Sequence, residues 1–174
     1  MRFTLLDTDL GTVILFARTR HLSRLDVLPS SPGEAREGVR AEFPGAIESD
    51  SPFQPVADLL RLYFKGEPVE FDVPLDLDGL RPFTALVLAQ TRRIGYGRVA
   101  SYGGIASAVG NAKASRAVGQ ALGRNPIPVV IPCHRIVKGD GTLGGFGMGA
   151  DLKAKLLARE GVSVPVLRTS MIPS

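Results

Sequence analysis

The chain has 174 residues, 44% of them apolar, which is enough for a packed core in one ordinary domain or two small ones. No stretch approaches the ~20 consecutive apolar residues of a membrane-spanning helix, and the N-terminus, Met1-Arg2-Phe3-Thr4, lacks the layout of a secretory signal. A single cysteine excludes a disulfide framework and a cysteine-rich zinc site, and His21 and His134 lie too far apart in sequence to suggest metal ligation. No membrane, metal or cofactor is therefore expected, and one free thiol fits a reducing, cytoplasmic compartment.

The net charge of +4 is unevenly spread. Residues 1–78 carry eight basic and fourteen acidic side chains, whereas residues 79–139 carry nine basic ones and no acid. Sixty-one residues without an Asp or Glu are the electrostatic footprint of a surface that meets a polyanion. A solvated basic face balanced by the acidic N-terminal part is the alternative.

Taken in order, residues 2–8 and 12–18 read as strands joined by the turn Asp9-Leu10-Gly11, and residues 22–28 as a third strand. A polar surface helix is expected from about Gly33 to Phe43, with Pro32 at its start. Ser51-Pro52 offers the next helix start. Val56, Leu59, Leu60, Tyr63 and Phe64 recur at helical spacing as a core stripe that needs no functional role. Residues 67–81 read as an extended connection, and the domain boundary falls at 78/79, where the charge changes sign.

Pro82 opens another helix, with Phe83, Leu86, Val87 and Ile94 on its inner side. Residues 103–109 and 113–122 then form two short helices around the turn Gly110-Asn111, a helix-turn-helix pattern. The second is rich in small residues and carries Lys113 and Arg116 near its start, so it can approach a phosphate backbone closely. Asn125-Pro126-Ile127-Pro128 follows as a stiff loop or a hinge.

The next apolar run, Val129-Val130-Ile131, reads as a buried strand presenting Cys133 at its end, followed by His134 and Arg135. A thiol beside an imidazole and a guanidinium is a candidate nucleophile, because the thiolate is the attacking species. It is equally consistent with a small buried hydrophobe. Four glycines in 144–149 lack the strand-glycine-helix order of a phosphate loop, and let backbone pack against a planar ligand. The last helix covers about 150–159 with Leu152, Leu156 and Leu157 inward. Glu160 at its C-terminal end opposes the helix dipole. It is either a solvated surface acid or a carboxylate with a partner, for which a histidine is the natural choice. The tail from Val162 to Ser174 is expected to cap the surface.

Together the run Ile131-Pro132-Cys133-His134-Arg135-Ile136-Val137, Asn125-Pro126 upstream and the helix-turn-helix before it resemble the O6-alkylguanine-DNA alkyltransferases, over roughly residues 80–162. The resemblance implies an α+β fold: a small strand-rich, ribonuclease H-like N-terminal domain and a mainly helical domain with a helix-turn-helix. It implies a monomer that binds double-stranded DNA through the minor groove. It implies transfer of an alkyl group from O6 of guanine, or O4 of thymine, to Cys133, once per molecule. In that likeness His134 is the general base acting through water, Glu160 its acidic partner and Asn125 the hinge. Arg116 is the finger that fills the gap left by a flipped guanine, and Tyr102 helps rotate the nucleotide and protonates its N3. Lys113, Ala114, Ser115 and Arg135 fall on the DNA side, and Val137, Phe146, Gly147, Met148 and Gly149 around the base pocket. Gly95, Arg98 and Phe146 stand where the family usually has proline, an acid and tyrosine. A non-catalytic binder of alkylated DNA and a thiol hydrolase are the competing readings. The thiol argues against the first, and the helix-turn-helix with its acid-free segment against the second.

Overall fold

The computed structural model describes residues 1–163; the expectation for the tail lies outside the described residues from 164 onward. β1 (Arg2–Thr8) and β2 (Gly11–Ala17) form the antiparallel hairpin, and β3 (Leu22–Leu28) pairs antiparallel with the free edge of β2. β4 (Ile47–Glu48) joins β1 in parallel, giving the order β3-β2-β1-β4. β2 is buried along its length after Gly11 because both faces of the sheet are covered.

One face is covered by α1 (Pro32–Glu42). Ser31 and Glu34 form a reciprocal capping box, and Pro32 occupies the first turn, as the sequence pattern requires. The helix is not simply a solvated surface element. Ala35 and Val39, four apart, pack on Phe3, Ile14 and Phe16 in a second, smaller core. Two apolar residues at i and i+4 are enough to seat a short helix that otherwise reads as polar.

The other face meets α2 (Gln54–Phe64). Ser51-Pro52 sits in a turn ahead of this helix rather than at its start, and Pro55 is the proline in its first turn. Val56, Leu60, Tyr63 and Phe64 are buried as the stripe predicts. Residues 67–81 are extended and touch the sheet edge through a bridge between Leu22 and Leu75.

The second half is helical. α3 (Pro82–Arg92) buries Thr84, Val87, Leu88 and Thr91, whereas Leu86, expected inside, is 55% exposed. Leu88 takes its place because Thr84, Val87, Leu88 and Thr91 complete the i, i+3, i+4, i+7 face. A two-residue strand β5 (Ala100–Ser101) leads into α4 (Tyr102–Ala108), and α5 (Ser115–Leu122) follows across the turn at Gly110. α3, α4 and α5 pack on one another. Residues 129–131 are not the strand the apolar run suggests. Val129 has φ +72°, Ile131 N–H bonds back to Ile127 O, and a 3-10 turn spans Cys133–Arg135. β6 (Ile136–Val137) then pairs in parallel with β5, and α6 (Ala150–Arg159) closes the fold. The main apolar cluster runs without a break from Leu6, Val13 and Leu15 through α2 to Val118, Ile131 and Leu156. The sheet and the helical half therefore share one core.

Replacing Leu60, fully buried in α2, by alanine is expected to cost about 2–5 kcal/mol of stability. Leu86→Ala, on the solvent side of α3, is expected to change stability by less than about 0.5 kcal/mol. Urea denaturation of the two variants beside wild type measures both.

Candidate active site

Cys133 opens the 3-10 turn and is nearly buried, at 7% exposure. What fixes it is Asn125. The side-chain Nδ2 donates to Ile131 O at 2.9 Å and to Cys133 Sγ at 3.0 Å, while Oδ1 accepts from Ile127 N–H at 3.0 Å. One amide thus ties both ends of the loop between α5 and the thiol. Val129, a β-branched residue in the left-handed region, is held there at a cost that only such an over-determined loop sustains. Burial pushes the Cys133 thiol up from its ordinary value, and the Asn125 hydrogen bond opposes that only in part. The resting group is a thiol, and it needs a base to become a nucleophile.

The adjacent imidazole is fully buried behind it. His134 Nε2 lies 2.8 Å from Glu160 Oε1. A carboxylate only accepts, so Nε2 carries the proton and Nδ1 keeps its lone pair. Nδ1 has no hydrogen-bond partner among the described residues. Burial pushes His134 down from its ordinary value, and the hydrogen bond to Glu160 works against that. The imidazole is accordingly neutral and free to accept a proton at Nδ1.

Glu160 caps the C-terminus of α6, where the helix dipole disfavours it. Five donors compensate. Arg135 makes a two-pronged ion pair, Nε to Oε2 at 2.8 Å and Nη2 to Oε1 at 3.0 Å. Gly97 N–H reaches Oε2 at 3.2 Å, and Tyr63 Oη donates to Oε1 at 2.8 Å beside His134. Gly97 has φ +70°, and a Cβ there would come within 3.1 Å of Glu160 O. Burial alone would raise Glu160, but the hydrogen bonds from His134 and Arg135 outweigh it and hold the carboxyl at about 2.

Above the thiol lies a cavity of about 510 Å³ lined by α4, α5 and the glycine-rich loop. Its walls include Tyr102, Ser115, Arg116, Gly119, Phe146 and Cys133 itself. Tyr102 Oη donates to Gly145 O at 3.1 Å. A Cβ on Gly144, at φ +68°, would stand 2.9 Å from the Tyr102 ring, so only glycine lets the loop lie this close. A mostly apolar cavity with the Cys133 thiol and the exposed Arg116 in its lining has room for a planar ligand that enters from outside.

Residues 1–77 match the ribonuclease-like domain of the 6-O-methylguanine DNA methyltransferases, and residues 82–162 match the DNA-binding domain of the same family. The chain belongs to that family. It is 37% identical over 163 residues to a methylated-DNA–protein-cysteine methyltransferase of Mycolicibacterium paratuberculosis, covering 92% of each chain. It is 34% identical over 162 residues to one from Methanosarcina acetivorans, covering 92% of this chain and 99% of the relative. The crystal structure of Mycobacterium tuberculosis OGT in complex with DNA superposes with a TM-score of 0.79 at 35% identity, covering 92% of each chain.

Cys133, Tyr102, Arg116, Ser115, Phe146 and Gly147 come together around the one cavity, with His134, Glu160 and Asn125 directly behind the thiol. Lys113 and Ala114 sit in the turn before α5, away from the cavity. Arg135, expected on the DNA face and near the thiol, is instead buried. It faces Glu160 and donates from Nη1 to Ile94 O at 2.5 Å, because the buried carboxylate demands a partner. Val137 is buried in β6, Met148 packs against the core, and neither lines the cavity, nor does Gly149; Gly144 and Gly145 stand there in their place. Two residues of the site carry no functional expectation from the sequence. One is Tyr63, whose hydroxyl joins Glu160. The other is Lys153, fully buried, whose Nζ donates to Ile136 O at 2.5 Å and lies 3.3 Å from Gly145 O, tying the glycine loop to α6. Burial lowers Lys153 to about 8. Its signal is spacing: Lys153, Leu156, Leu157 and Glu160 fall on one helix face.

Glu160→Gln is expected to destabilise the protein by about 3–5 kcal/mol at neutral pH, since it strands the buried Arg135 charge. The Glu160 carboxyl lies lower in the folded protein, at about 2, than its ordinary 4.5. Its contribution is therefore complete above 4.5 and lost as pH falls through about 2. Denaturant midpoints followed by circular dichroism across that window should fall more steeply for wild type than for Glu160→Gln.

Proposed function

We propose that Cys133 accepts the alkyl group from O6 of guanine in double-stranded DNA after the nucleotide is flipped into the cavity. DNA repair by transfer of an alkyl group from methylated DNA to a cysteine is the activity of the family to which the chain belongs. The observation that carries the residue-level reading is the position of the only cysteine: its thiol lines the same cavity as Tyr102 and Arg116.

The DNA face is α5 and its flanks. Arg116, Ala117 and Gln120 are exposed on it, Lys113 precedes it and Arg124 follows, with no acid among them. Small side chains at Ala117 and Gly119 suit entry of this helix into a minor groove, and the cations supply sequence-independent affinity. A base inside a duplex cannot reach a buried thiol, so it must leave the stack at a cost of a few kcal/mol. Arg116, at the cavity mouth, fills the gap and offsets part of that cost. The flipped ring enters the cavity that Tyr102, Gly119, Phe146 and Cys133 line.

Proton movement follows from the geometry. The Cys133 thiol loses its proton, through a water, to Nδ1 of His134, and Glu160 stabilises the imidazolium through Nε2. The thiolate attacks the alkyl carbon in line; the S–C bond forms and the C–O bond breaks. The electron pair stays on the guanine, which becomes neutral on taking a proton from Tyr102. Burial holds the Tyr102 hydroxyl above its ordinary value, so it keeps a proton to give. The imidazolium's proton then replaces it through solvent. The thioether has no bond that water cleaves, so each molecule reacts once. The protein works as a monomer in the cytoplasm, with no cofactor.

Intact-mass spectrometry after incubation with duplex DNA bearing O6-methylguanine is expected to show one added methyl per chain, on the Cys133 peptide, and none for Cys133→Ser. Binding without transfer would favour a pure lesion binder; repeated turnover of an ester would favour a thiol hydrolase. Arg116→Ala is expected to slow single-turnover transfer by about tenfold or more, its share of the flipping cost.

A further inference from the structure

Tyr63 belongs to α2, in the half of the chain that holds the sheet, yet its hydroxyl ends at the catalytic centre. Oη donates to Glu160 Oε1 at 2.8 Å and lies 3.3 Å from His134 Nε2. The ring is fully buried, edge-on to Phe64 and Tyr96 and tilted against Phe71. Packing of that kind would be met as well by phenylalanine, as its neighbours Phe64 and Phe71 illustrate. The hydroxyl is the part that packing does not explain. The surrounding contacts hold this end of α2 against the end of α6. Tyr96 Oη lies 3.0 Å from Gly66 O and 2.9 Å from Arg159 O, and Arg159 donates to Phe64 O and to Asp9.

We propose that Tyr63 is a positioning residue of the active site: its hydroxyl holds the Glu160 carboxylate and limits how much of its charge is directed at His134. The role in alkyl transfer rests on Cys133 being the acceptor; the effect on the imidazole does not.

Glu160 Oε1 faces three donors at once, Tyr63 Oη, His134 Nε2 and Arg135 Nη2. Hydrogen bonds to a carboxylate spread its charge and make it a weaker partner for each donor. With Tyr63 in place, Glu160 orients the imidazole without fixing a second proton on it. Without that hydroxyl, one lone pair of a buried carboxylate turns wholly to His134 and favours the imidazolium. A base already protonated cannot take the thiol proton. The charged and titratable groups facing His134 are Glu160 and Lys153 from α6, Arg135 and Cys133 from its own turn, and Tyr63 from α2; Tyr96 faces Glu160 from the loop after α3. Of the groups facing His134 itself, Tyr63 alone can be stripped of its polar group while its packing ring is kept and no formal charge is changed in the cluster.

The test is Tyr63→Phe, read by NMR of the imidazole signals as pH is lowered. The chain has two histidines, and His21, exposed at the surface, serves as the internal reference. His134 is expected to take up its second proton at a higher pH in Tyr63→Phe than in wild type. Site-specific 3-fluorotyrosine at position 63, a stronger donor, is expected to move it the other way. The acid limb of the single-turnover transfer rate should shift upward with Tyr63→Phe, by several-fold in rate at the acid end, with DNA affinity unchanged. An imidazole that protonates at the same pH in all three proteins overturns the proposal, as does a rate loss that is uniform across pH. If wild type transfers no methyl to Cys133, the acceptor reading fails, and the imidazole shift still decides the role of Tyr63.

Discussion

The site depends on one buried carboxylate. Glu160 is placed where its own helix repels it and where water cannot reach it, and an ion so placed costs several kcal/mol unless its lone pairs are filled. Every contact that fills them does something else as well. Arg135 fixes the turn that carries Cys133, Gly97 N–H anchors the loop after α3, Tyr63 brings in α2, and His134 becomes an oriented base. Removing the acid would unfasten three separate segments of chain, the 133–135 turn, the loop at Gly97 and α2, from the end of α6. The positioning of the thiol and the stability of the fold are therefore the same set of interactions, seen from two sides.

Asn125 plays the corresponding part for the nucleophile. The thiol is not presented by a regular element; it sits after a loop that contains a left-handed valine and three prolines. Regular strand hydrogen bonds would have fixed such a segment without help. In their absence a single side-chain amide bonds to Ile127, Ile131 and the sulfur itself. Since α5 ends only three residues before Asn125, the same amide sets the distance from α5 to the sulfur.

Most of the layout was legible in the chain because each element is marked locally. The strands and their turn at Asp9-Leu10-Gly11, Pro32 at a helix start and the apolar stripe of α2 need no long-range information. So too the Cys133-His134 pair, Asn125, Arg116 and Glu160 stand out through chemistry that their neighbours do not explain. What was not legible is where a side chain meets a partner distant in sequence. Tyr63 and Glu160 are 97 residues apart, and on its own helix Tyr63 is indistinguishable from a core tyrosine. Arg135 looked like one more cation of a basic segment, and its inward turn is decided by an acid 25 residues away. Val129 to Ile131 has the composition of a strand, but no strand among the described residues pairs with it, and the prolines and Asn125 dictate a turn. The pocket residues shifted from Val137 and Met148 to Gly144 and Gly145 for a similar reason. Lys153 draws the loop toward α6 from behind, and that pull cannot be read from the loop itself.

The charge pattern now has a physical logic. In residues 79–139 nine cations stand without an acid, and eight of them are exposed. An acid on that face would weaken every phosphate contact near it. The proposed proton transfer nonetheless uses a carboxylate within hydrogen-bonding reach of the histidine. Both demands are met by taking the acid from beyond the segment, burying it, and turning the one inward-facing cation, Arg135, upon it. Glu160 with Arg135 presents almost no net charge to the DNA side, while His134 still sees a carboxylate oxygen at 2.8 Å. A site that binds a polyanion and performs proton transfer with an anion must separate the two, and here the separation is made by burial rather than by distance along the surface.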